Sequence, residues 1–162
     1  MTVCGIICEK ILRRIGYMKF IFLDIDGVLN AKEKVASLDC KMDVDKIEIL
    51  NTVVSASGAS VVLSSSWRLT AFDEVCQRLA EHGIKVIGKT PAFGGNNRAR
   101  EILSYLEILE SSQRLYGAVE AFVILDDQAV RWGKLQSHLV RTVPTRGLTQ
   151  ANAEKALKIL NG

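Results

Sequence analysis

The sequence predicts an α/β fold, a three-layer doubly wound parallel sheet of about five strands with helices on both faces. The prediction starts from an apolar run at residues 20–23, which is bulky and continuous, as expected for a strand buried on both faces. Similar runs alternate along the chain with segments of helical periodicity, and this alternation predicts parallel strands joined by right-handed crossovers. A length of 162 residues and a positive mean hydropathy fit one compact domain.

The predicted elements follow one another in a regular order. We place strands at residues 20–23, 60–63, 84–87, 121–125 and 139–143. We place helices between and after them, from Asp43 to a stop at Gly58, from the capping-box-like pair Thr70 and Asp73 to Gly83, over residues 98–110, and from Thr149 to residue 160. Residues 31–42 and 90–97 carry polar residues or glycine pairs and are predicted to be loops.

Composition excludes several classes of protein. No apolar run approaches the ~20 residues that a membrane-spanning helix needs. The formal net charge is +3, but residues 1–17 supply +2 of it, so the rest of the chain lacks the basic surface of a general nucleic-acid coat. The four cysteines have no metal-site spacing, which indicates reduced thiols in a cytoplasmic protein.

The first 17 residues differ from the rest of the chain. Apolar side chains fall on one side of a helix there and basic side chains on the other, so a short amphipathic helix is expected. The segment has no small-residue cleavage site of the kind that ends a secretory signal. We interpret residues 1–17 as a dispensable leader and residues 18–162 as the domain itself.

Two acids and a glycine end the first predicted strand. Asp24 and Asp26 are two residues apart, so their side chains can project to the same side, while Gly27 allows a sharp turn beside them. An ordinary Asp-Gly turn needs only one of these acids and rarely follows so apolar a strand. The pattern therefore favours two acids that face one bound ion or phosphoryl group.

Further polar side chains are predicted at the same edge of the sheet. A serine run at residues 64–66 follows the second strand, and Asp126 and Asp127 follow the fourth. The helix that precedes the fourth strand runs antiparallel to it, so this helix begins at the same edge and brings Arg98 and Arg100 with it. Ligands of doubly wound sheets bind beyond the carboxyl ends of the strands, so a site is expected here.

The predicted cluster suits one kind of chemistry. Carboxylates that lie close together repel one another unless a cation neutralises them, and oxygen ligands favour Mg²⁺ over zinc. A carboxylate beside Mg²⁺, a second acid, a hydroxyl and an arginine fit in-line phosphoryl transfer, in which one acid attacks phosphorus and the other protonates the leaving oxygen. The hydroxyl and the arginine would hold the group being transferred.

These motifs, in this order, resemble the haloacid dehalogenase (HAD) superfamily. More narrowly, they are similar to the HAD domains of the Swiss Army Knife RNA repair proteins and their stand-alone relatives. The resemblance covers residues 18–160 and is carried by FLDIDGVLN at residues 22–30, LSSSWR at 63–68, RAREI at 98–102, ILDD at 124–127 and GLT at 147–149. It implies a Rossmann-like HAD fold and a Mg²⁺-dependent phosphatase that forms an aspartyl-phosphate intermediate.

The resemblance also implies roles for individual residues. Asp24 would be the nucleophile, and Asp26 would be the general acid and then the general base. Mg²⁺ would be held by Asp24, the backbone carbonyl of Asp26, Asp126 and Asp127. Two assignments remain open, because the sequence does not separate Ser64 from Ser65 as the hydroxyl, nor Arg98 from Arg100 as the cation; Arg98 is favoured because it is nearer the start of its helix.

The sequence has no room for a large cap domain, which leaves the predicted cleft open to a bulky substrate or to a partner or second copy that covers it. Gly27, Trp67, Arg68 and Arg100 are expected to contact the substrate, with Arg98 and Arg131 also near the active edge. Trp67 could be a core or edge aromatic or a platform on which a base stacks. A cationic rim and this resemblance favour a phosphorylated RNA or DNA end as substrate.

Three other interpretations stay open. The protein could be a general phosphatase of small molecules or a catalytically silent HAD-like module that only binds. A response-regulator receiver is also a doubly wound sheet with an acidic pair, but it needs its phosphorylated aspartate on the third strand. Here that strand ends in Gly88, Lys89 and Thr90, with no carboxylate.

Overall fold

The structure is a computed structural model, which describes residues 16–31, 42–95, 97–113 and 117–162. Residues 1–15 of the predicted leader and most of the predicted loop at 31–42 lie outside the described residues. The division into a leader and a domain stays a prediction.

The centre of the fold is a five-stranded parallel sheet, in the order β3-β2-β1-β4-β5. Its strands are β1 (Tyr17–Leu23), β2 (Ser60–Leu63), β3 (Val86–Lys89), β4 (Ala118–Asp126) and β5 (Leu139–Arg141). The first strand, β1, lies in the middle of the sheet. The chain then adds β2 and β3 on one side of β1, and afterwards adds β4 and β5 on the other side. The strand order therefore reverses between β1 and β4, which confirms the predicted doubly wound α/β sheet and places a crevice at that point.

Helices cover both faces of the sheet. They are α1 (Val44–Ser57), α2 (Phe72–Glu81), α3 (Arg98–Ser111) and α4 (Gln150–Asn161), with 3₁₀ helices at Ser66–Leu69 and Gly133–His138. The side chains of β1 alternate between two cores. Ile21 and Leu23 pack in the larger core, with α1, α2 and α4, whereas Phe20 and Phe22 pack against α3 in the smaller core. Among the residues that the structure describes, no large cap domain interrupts this three-layer arrangement.

Several predicted boundaries were wrong by a few residues. The third strand spans Val86–Lys89 and not 84–87, and the fifth ends at Arg141 rather than at 143. The first strand begins earlier, at Tyr17, because its pairing with β4 extends beyond the buried core on which the prediction relied; the Tyr17 side chain is exposed.

The predicted helix starts had different outcomes. The capping box of Thr70 with Asp73 is not formed: α2 begins at Phe72 after Ala71, because residues 66–69 continue the preceding turn as a 3₁₀ helix. At α4 the prediction is confirmed, since Thr149 Oγ1 accepts a hydrogen bond from the Asn152 backbone N–H and Asn152 Oδ1 accepts one from the Thr149 backbone N–H. Asp43 stands at the N-cap position of α1, and its carboxylate accepts a hydrogen bond from the Ala31 backbone N–H.

Within residues 16–31, 42–95, 97–113 and 117–162, no helix has the length and apolar character needed to cross a membrane.

Candidate active site

The register of three adjacent strands brings the predicted polar residues together. Leu23 of β1 pairs with Leu63 of β2 on one side and with Leu125 of β4 on the other. The next residue of each strand is therefore at the same level, and these residues are Asp24, Ser64 and Asp126. Backbone hydrogen bonds continue the ladder into this layer, from Asp24 N–H to Leu125 O at 3.0 Å and from Ser64 N–H to Leu23 O at 2.9 Å.

Three carboxylates meet at this edge of the sheet. Asp24, Asp126 and Asp127 each offer an oxygen atom, and these atoms lie within 4.8 Å of one another. All three residues are buried, and Asp126 is fully shielded from solvent. Oxygen ligands at this separation fit a hard divalent cation, so the cluster could hold a metal ion.

Arg98 supplies a positive charge to this cluster. It is the first residue of α3, and its Nη1 lies 2.6 Å from Asp126 Oδ2 and 3.3 Å from Asp24 Oδ1. Its neighbour Arg100 is exposed instead, with its guanidinium 4.7 Å from the centre of the Phe93 ring. Of the two arginines that the sequence left open, the structure places Arg98 among the acids.

Burial makes the charged form of these acids costly. It is the main cause that raises the pKa of Asp24 above its usual range, against the opposing effect of the Arg98 charge. Burial, and next the charge of Asp24, raise the pKa of Asp126 from 3.8 to about 7. The Arg98 charge therefore does not offset the cost of ionising Asp24 and Asp126, which is the electrostatic condition that favours a bound cation.

The serine run divides into residues with different surroundings. The Ser65 side chain is buried and hydrogen-bonds to Asp24, an interaction that lowers the pKa of this acid. Ser64 Oγ is also buried and has no hydrogen-bond partner among the described residues. Ser66 is exposed and begins the 3₁₀ helix. Both serines that the sequence left open thus lie at the site, and only Ser65 contacts an acid of the cluster.

Asp26 lies beside the cluster, but its carboxylate is held in another direction. Its Oδ1 accepts a hydrogen bond of 3.0 Å from Asn30 Nδ2, and its Oδ2 accepts one of 2.8 Å from Trp67 Nε1. The three-carboxylate group does not include this side chain. Sequence reasoning placed Trp67 at the active edge but missed its contact with Asp26.

Arg68, which was expected to contact the substrate, is buried. Its Nη2 lies 2.7 Å from Glu101 Oε2, and only 4% and 6% of the two side chains is exposed. Its Nη1 donates hydrogen bonds to the backbone carbonyls of Ser64 and Ser65, at 3.0 and 2.7 Å. Arg68 therefore fixes the turn that carries the serines, and it is not an exposed rim cation. Glu101, its partner 33 residues away, was not identified from the sequence.

Gly27 is required by its surroundings as well as by its backbone. Its φ of 73° lies in the left-handed region, which suits glycine. A Cβ atom at this position would overlap the Asp127 carboxylate. The glycine thus lets Asp127 approach the turn after β1 and join the cluster, a role closer to packing than to the predicted substrate contact.

A cavity of about 270 Å³ opens beside Arg98. It lies between the turn after β2 and the loop before α3. Its lining residues are Ser66, Arg68, Leu69, Ala92, Gly94, Gly95, Arg98, Glu101 and Gln128. The cavity is the space next to the acids into which a bound molecule could extend.

The sequence that carries these site residues matches a known protein family. Residues 20–153 match the family described as the HAD domain in Swiss Army Knife RNA repair proteins. The chain belongs to this HAD family. No curated protein and no solved structure shows a significant match to it. Membership supports a HAD-type hydrolase in general, and a family that generally uses Mg²⁺ agrees with a buried acidic cluster able to hold a metal ion.

Replacement of Gly27 by alanine should reduce the stability of the protein by more than the cost of a left-handed backbone alone, because the new Cβ atom would overlap the Asp127 carboxylate. Gly58, at φ 68° with open space around its Cβ position, is the matched control. Gly58→Ala should reduce the free energy of unfolding by about 1–2 kcal/mol, the cost of a left-handed residue. Gly27→Ala should cost more, and it alone should reduce the rise in Tm that a divalent cation causes, because Asp127 is displaced. Urea unfolding and thermal melts check both; equal losses in the two variants would contradict the close approach.

The raised pKa of Asp126 predicts how stability depends on pH. Between pH 3.8, the ordinary value, and about 7, the folded state keeps a proton that the unfolded state has lost. Stability of the metal-free protein should therefore fall as pH rises through this window, and Asp24 acts in the same direction. Asp126→Asn, which cannot ionise, should flatten the fall.

The measurement is Tm in chelator across this pH window, for wild type and Asp126→Asn. A divalent cation should raise the wild-type Tm most at the alkaline end, where Asp126 is ionised, and should raise the variant's Tm less. Parallel pH curves for the two proteins would show that Asp126 does not titrate in this window.

Proposed function

We propose that this protein is a Mg²⁺-dependent phosphatase that hydrolyses phosphate monoesters through an aspartyl-phosphate intermediate. The observation that carries the proposal is the position of Arg98 Nη1 between Asp24 and Asp126. A nucleophilic carboxylate needs a nearby cation to hold the phosphoryl oxygens, and the same cation must be fixed by other groups when no substrate is bound. Arg98 meets both requirements.

Each residue of the site has a task in this reaction. A carboxylate oxygen of Asp24 attacks phosphorus, and the bond from phosphorus to the leaving oxygen breaks. Asp26 gives the leaving oxygen a proton. In the second half, Asp26 takes a proton from water, whose oxygen attacks the phosphoaspartate and releases inorganic phosphate and free Asp24. Arg98 and the Ser65 hydroxyl hold the phosphoryl oxygens during both transfers.

A metal ion would be held by Asp24, Asp126 and Asp127, with the backbone carbonyl of Asp26 as a further ligand. Their oxygen atoms and their excess negative charge suit Mg²⁺ better than zinc. Mg²⁺ would supply positive charge that offsets both the acids and the incoming phosphate. The ion would also make it possible for Asp126 to stay ionised at neutral pH, since a bound cation counteracts the effect of burial.

The substrate that we favour is a phosphorylated end of RNA or DNA, met in the cytoplasm. The family includes domains of RNA repair proteins. The cavity beside Arg98 gives the leaving group a place, and exposed Phe93 stands between two residues that line it, Ala92 and Gly94. With Arg100 over its ring, exposed Phe93 offers a surface on which a base can stack, whereas the Trp67 ring is half-buried against the larger core. A partner or second copy could cover the remaining open cleft.

A panel of phosphate monoesters tests the activity and the substrate together. We expect 5′- or 3′-phosphorylated oligoribonucleotides to be hydrolysed with a kcat/KM about tenfold or more above free nucleotides and sugar phosphates, since one stacked base contributes ~1–3 kcal/mol. Phe93→Leu should remove most of this preference and leave the sugar phosphates unaffected. Equal values across the panel would instead favour a general phosphatase of small molecules.

Asp24→Asn is the control for this panel. The change keeps the shape of the side chain and removes the nucleophile, so no substrate should be turned over, while the protein should remain folded by circular dichroism. Activity near wild type in this variant would exclude the aspartyl-phosphate mechanism. If the wild type also fails to hydrolyse p-nitrophenyl phosphate with Mg²⁺, the protein is a HAD-like module that only binds.

A further inference from the structure

The indole of Trp67 points to a further role in the site, which rests on the proposed function. Both carboxylate oxygens of Asp26 are bound by side-chain donors from different parts of the chain. Asn30 belongs to the same turn as Asp26, and its Oδ1 also accepts a hydrogen bond of 3.1 Å from the Gly27 backbone N–H. Trp67 comes from the 3₁₀ helix after the neighbouring strand β2, 41 residues away, so its contact depends on the fold and not on the local turn.

The Trp67 donor is itself held in place. Its ring is half-buried and packs against the larger core, and its backbone N–H donates to Ser65 Oγ at 3.3 Å. The next residue, Arg68, is buried and ion-paired with Glu101. The indole N–H therefore has a fixed position from which to orient a neighbouring acid.

The residues after β2 provide a hydrogen-bonding side chain for each of the two acids Asp24 and Asp26. Because β1 and β2 are parallel and in register at Leu23 and Leu63, the turn after β1 and the 3₁₀ helix after β2 begin at the same edge of the sheet. Ser65 interacts with Asp24, and Trp67 hydrogen-bonds to Asp26. Trp67 lies two residues after Ser65, just as Asp26 lies two residues after Asp24. The spacing of the two hydrogen-bonding side chains thus matches the spacing of the two acids.

We propose that Trp67 is a positioning residue for proton transfer. Its indole N–H holds one oxygen of Asp26, and with Asn30 on the other oxygen it fixes the plane of the carboxyl group. The carboxyl group then presents its remaining lone pair, or the proton bound there, toward the leaving oxygen of the substrate. Loss of this hydrogen bond leaves the nucleophile and Arg98 in place and loosens only the group that moves the proton.

The test compares two leaving groups in Trp67→Phe, which keeps a ring and removes the donor. The quantity is kcat/KM, which covers phosphoryl transfer to the enzyme and excludes the later hydrolysis. An alkyl phosphate needs a proton on its leaving oxygen, whereas p-nitrophenolate does not. General acid catalysis contributes typically about 10²–10⁴-fold, so we expect kcat/KM to fall about 10–100-fold for the alkyl phosphate and less than about 3-fold for p-nitrophenyl phosphate.

Tyr105→Phe is the matched control, because it removes a polar atom from an aromatic residue packed in the other core. It should leave both substrates unchanged. Equal losses on the two substrates in Trp67→Phe would show a structural effect only and overturn the proposal, and so would no loss on either. A wild type that hydrolyses neither substrate would remove the proposed function and this role with it.

The contact can be tested without any activity. The chain has two tryptophans, so the protein should give two indole N–H signals in NMR. Trp132, whose Nε1 donates to the Gln128 carbonyl at 3.2 Å, is the internal control. In Asp26→Ala the Trp67 indole hydrogen should exchange with solvent faster and shift, while that of Trp132 should not. An unchanged Trp67 signal would overturn the inference even if the enzyme is an active phosphatase.

Discussion

The excess of negative charge at the carboxyl edge of the sheet is the constraint on which this structure depends. Asp24 and Asp126 share the Arg98 guanidinium and lie beside Asp127, and burying charge is costly unless it is paired and hydrogen-bonded. The protein reduces this cost with local donors. Asp24 accepts from the Ile25 backbone N–H at 2.9 Å, and Asp126 accepts from the Gln128 backbone N–H at 2.8 Å. These bonds offset only part of the cost, because the pKa values of Asp24 and Asp126 remain raised, and the cluster could hold a cation.

A second buried charge pair keeps the parts of the site in position. Arg68 joins the serine turn after β2 to Glu101, which lies one helical turn beyond Arg98 on α3. Glu101 Oε1 also accepts from the Phe93 backbone N–H at 3.0 Å, which ties down the loop beside the cavity. Removing one partner of such a pair typically costs about 3–5 kcal/mol, because the other charge stays buried and unpaired. The serine turn, the helix that carries Arg98 and the cavity wall are thus linked through the Glu101 carboxylate.

The sequence was enough to predict the sheet, the edge that carries the site and the residues that meet there, because parallel strands end together and polar residues follow their apolar runs. The sequence was not enough to predict which partners the arginine side chains contact. Arg68 and Arg100 look alike in a sequence, yet one is buried against Glu101 and the other lies on Phe93. The difference depends on a partner 33 residues away, and no periodicity carries that information. The contact of Trp67 with Asp26 was missed for the same reason. The predicted strands indicate only that the residues after β1 and β2 begin at the same edge of the sheet.

The described part of this chain has no large cap domain over the site, and contacts within the fold hold the parts of the site in place. Enzymes that close a lid or domain over the substrate can instead complete their catalytic arrangement during closure. Here the acids, the hydroxyl and the cation are held at the edge of the sheet: Ser65 and Trp67 approach Asp24 and Asp26 from the residues after β2, and Asp126 and Asp127 approach from the end of β4. A site preorganised in this way can stay open to a long substrate, since the arrangement does not depend on enclosing it.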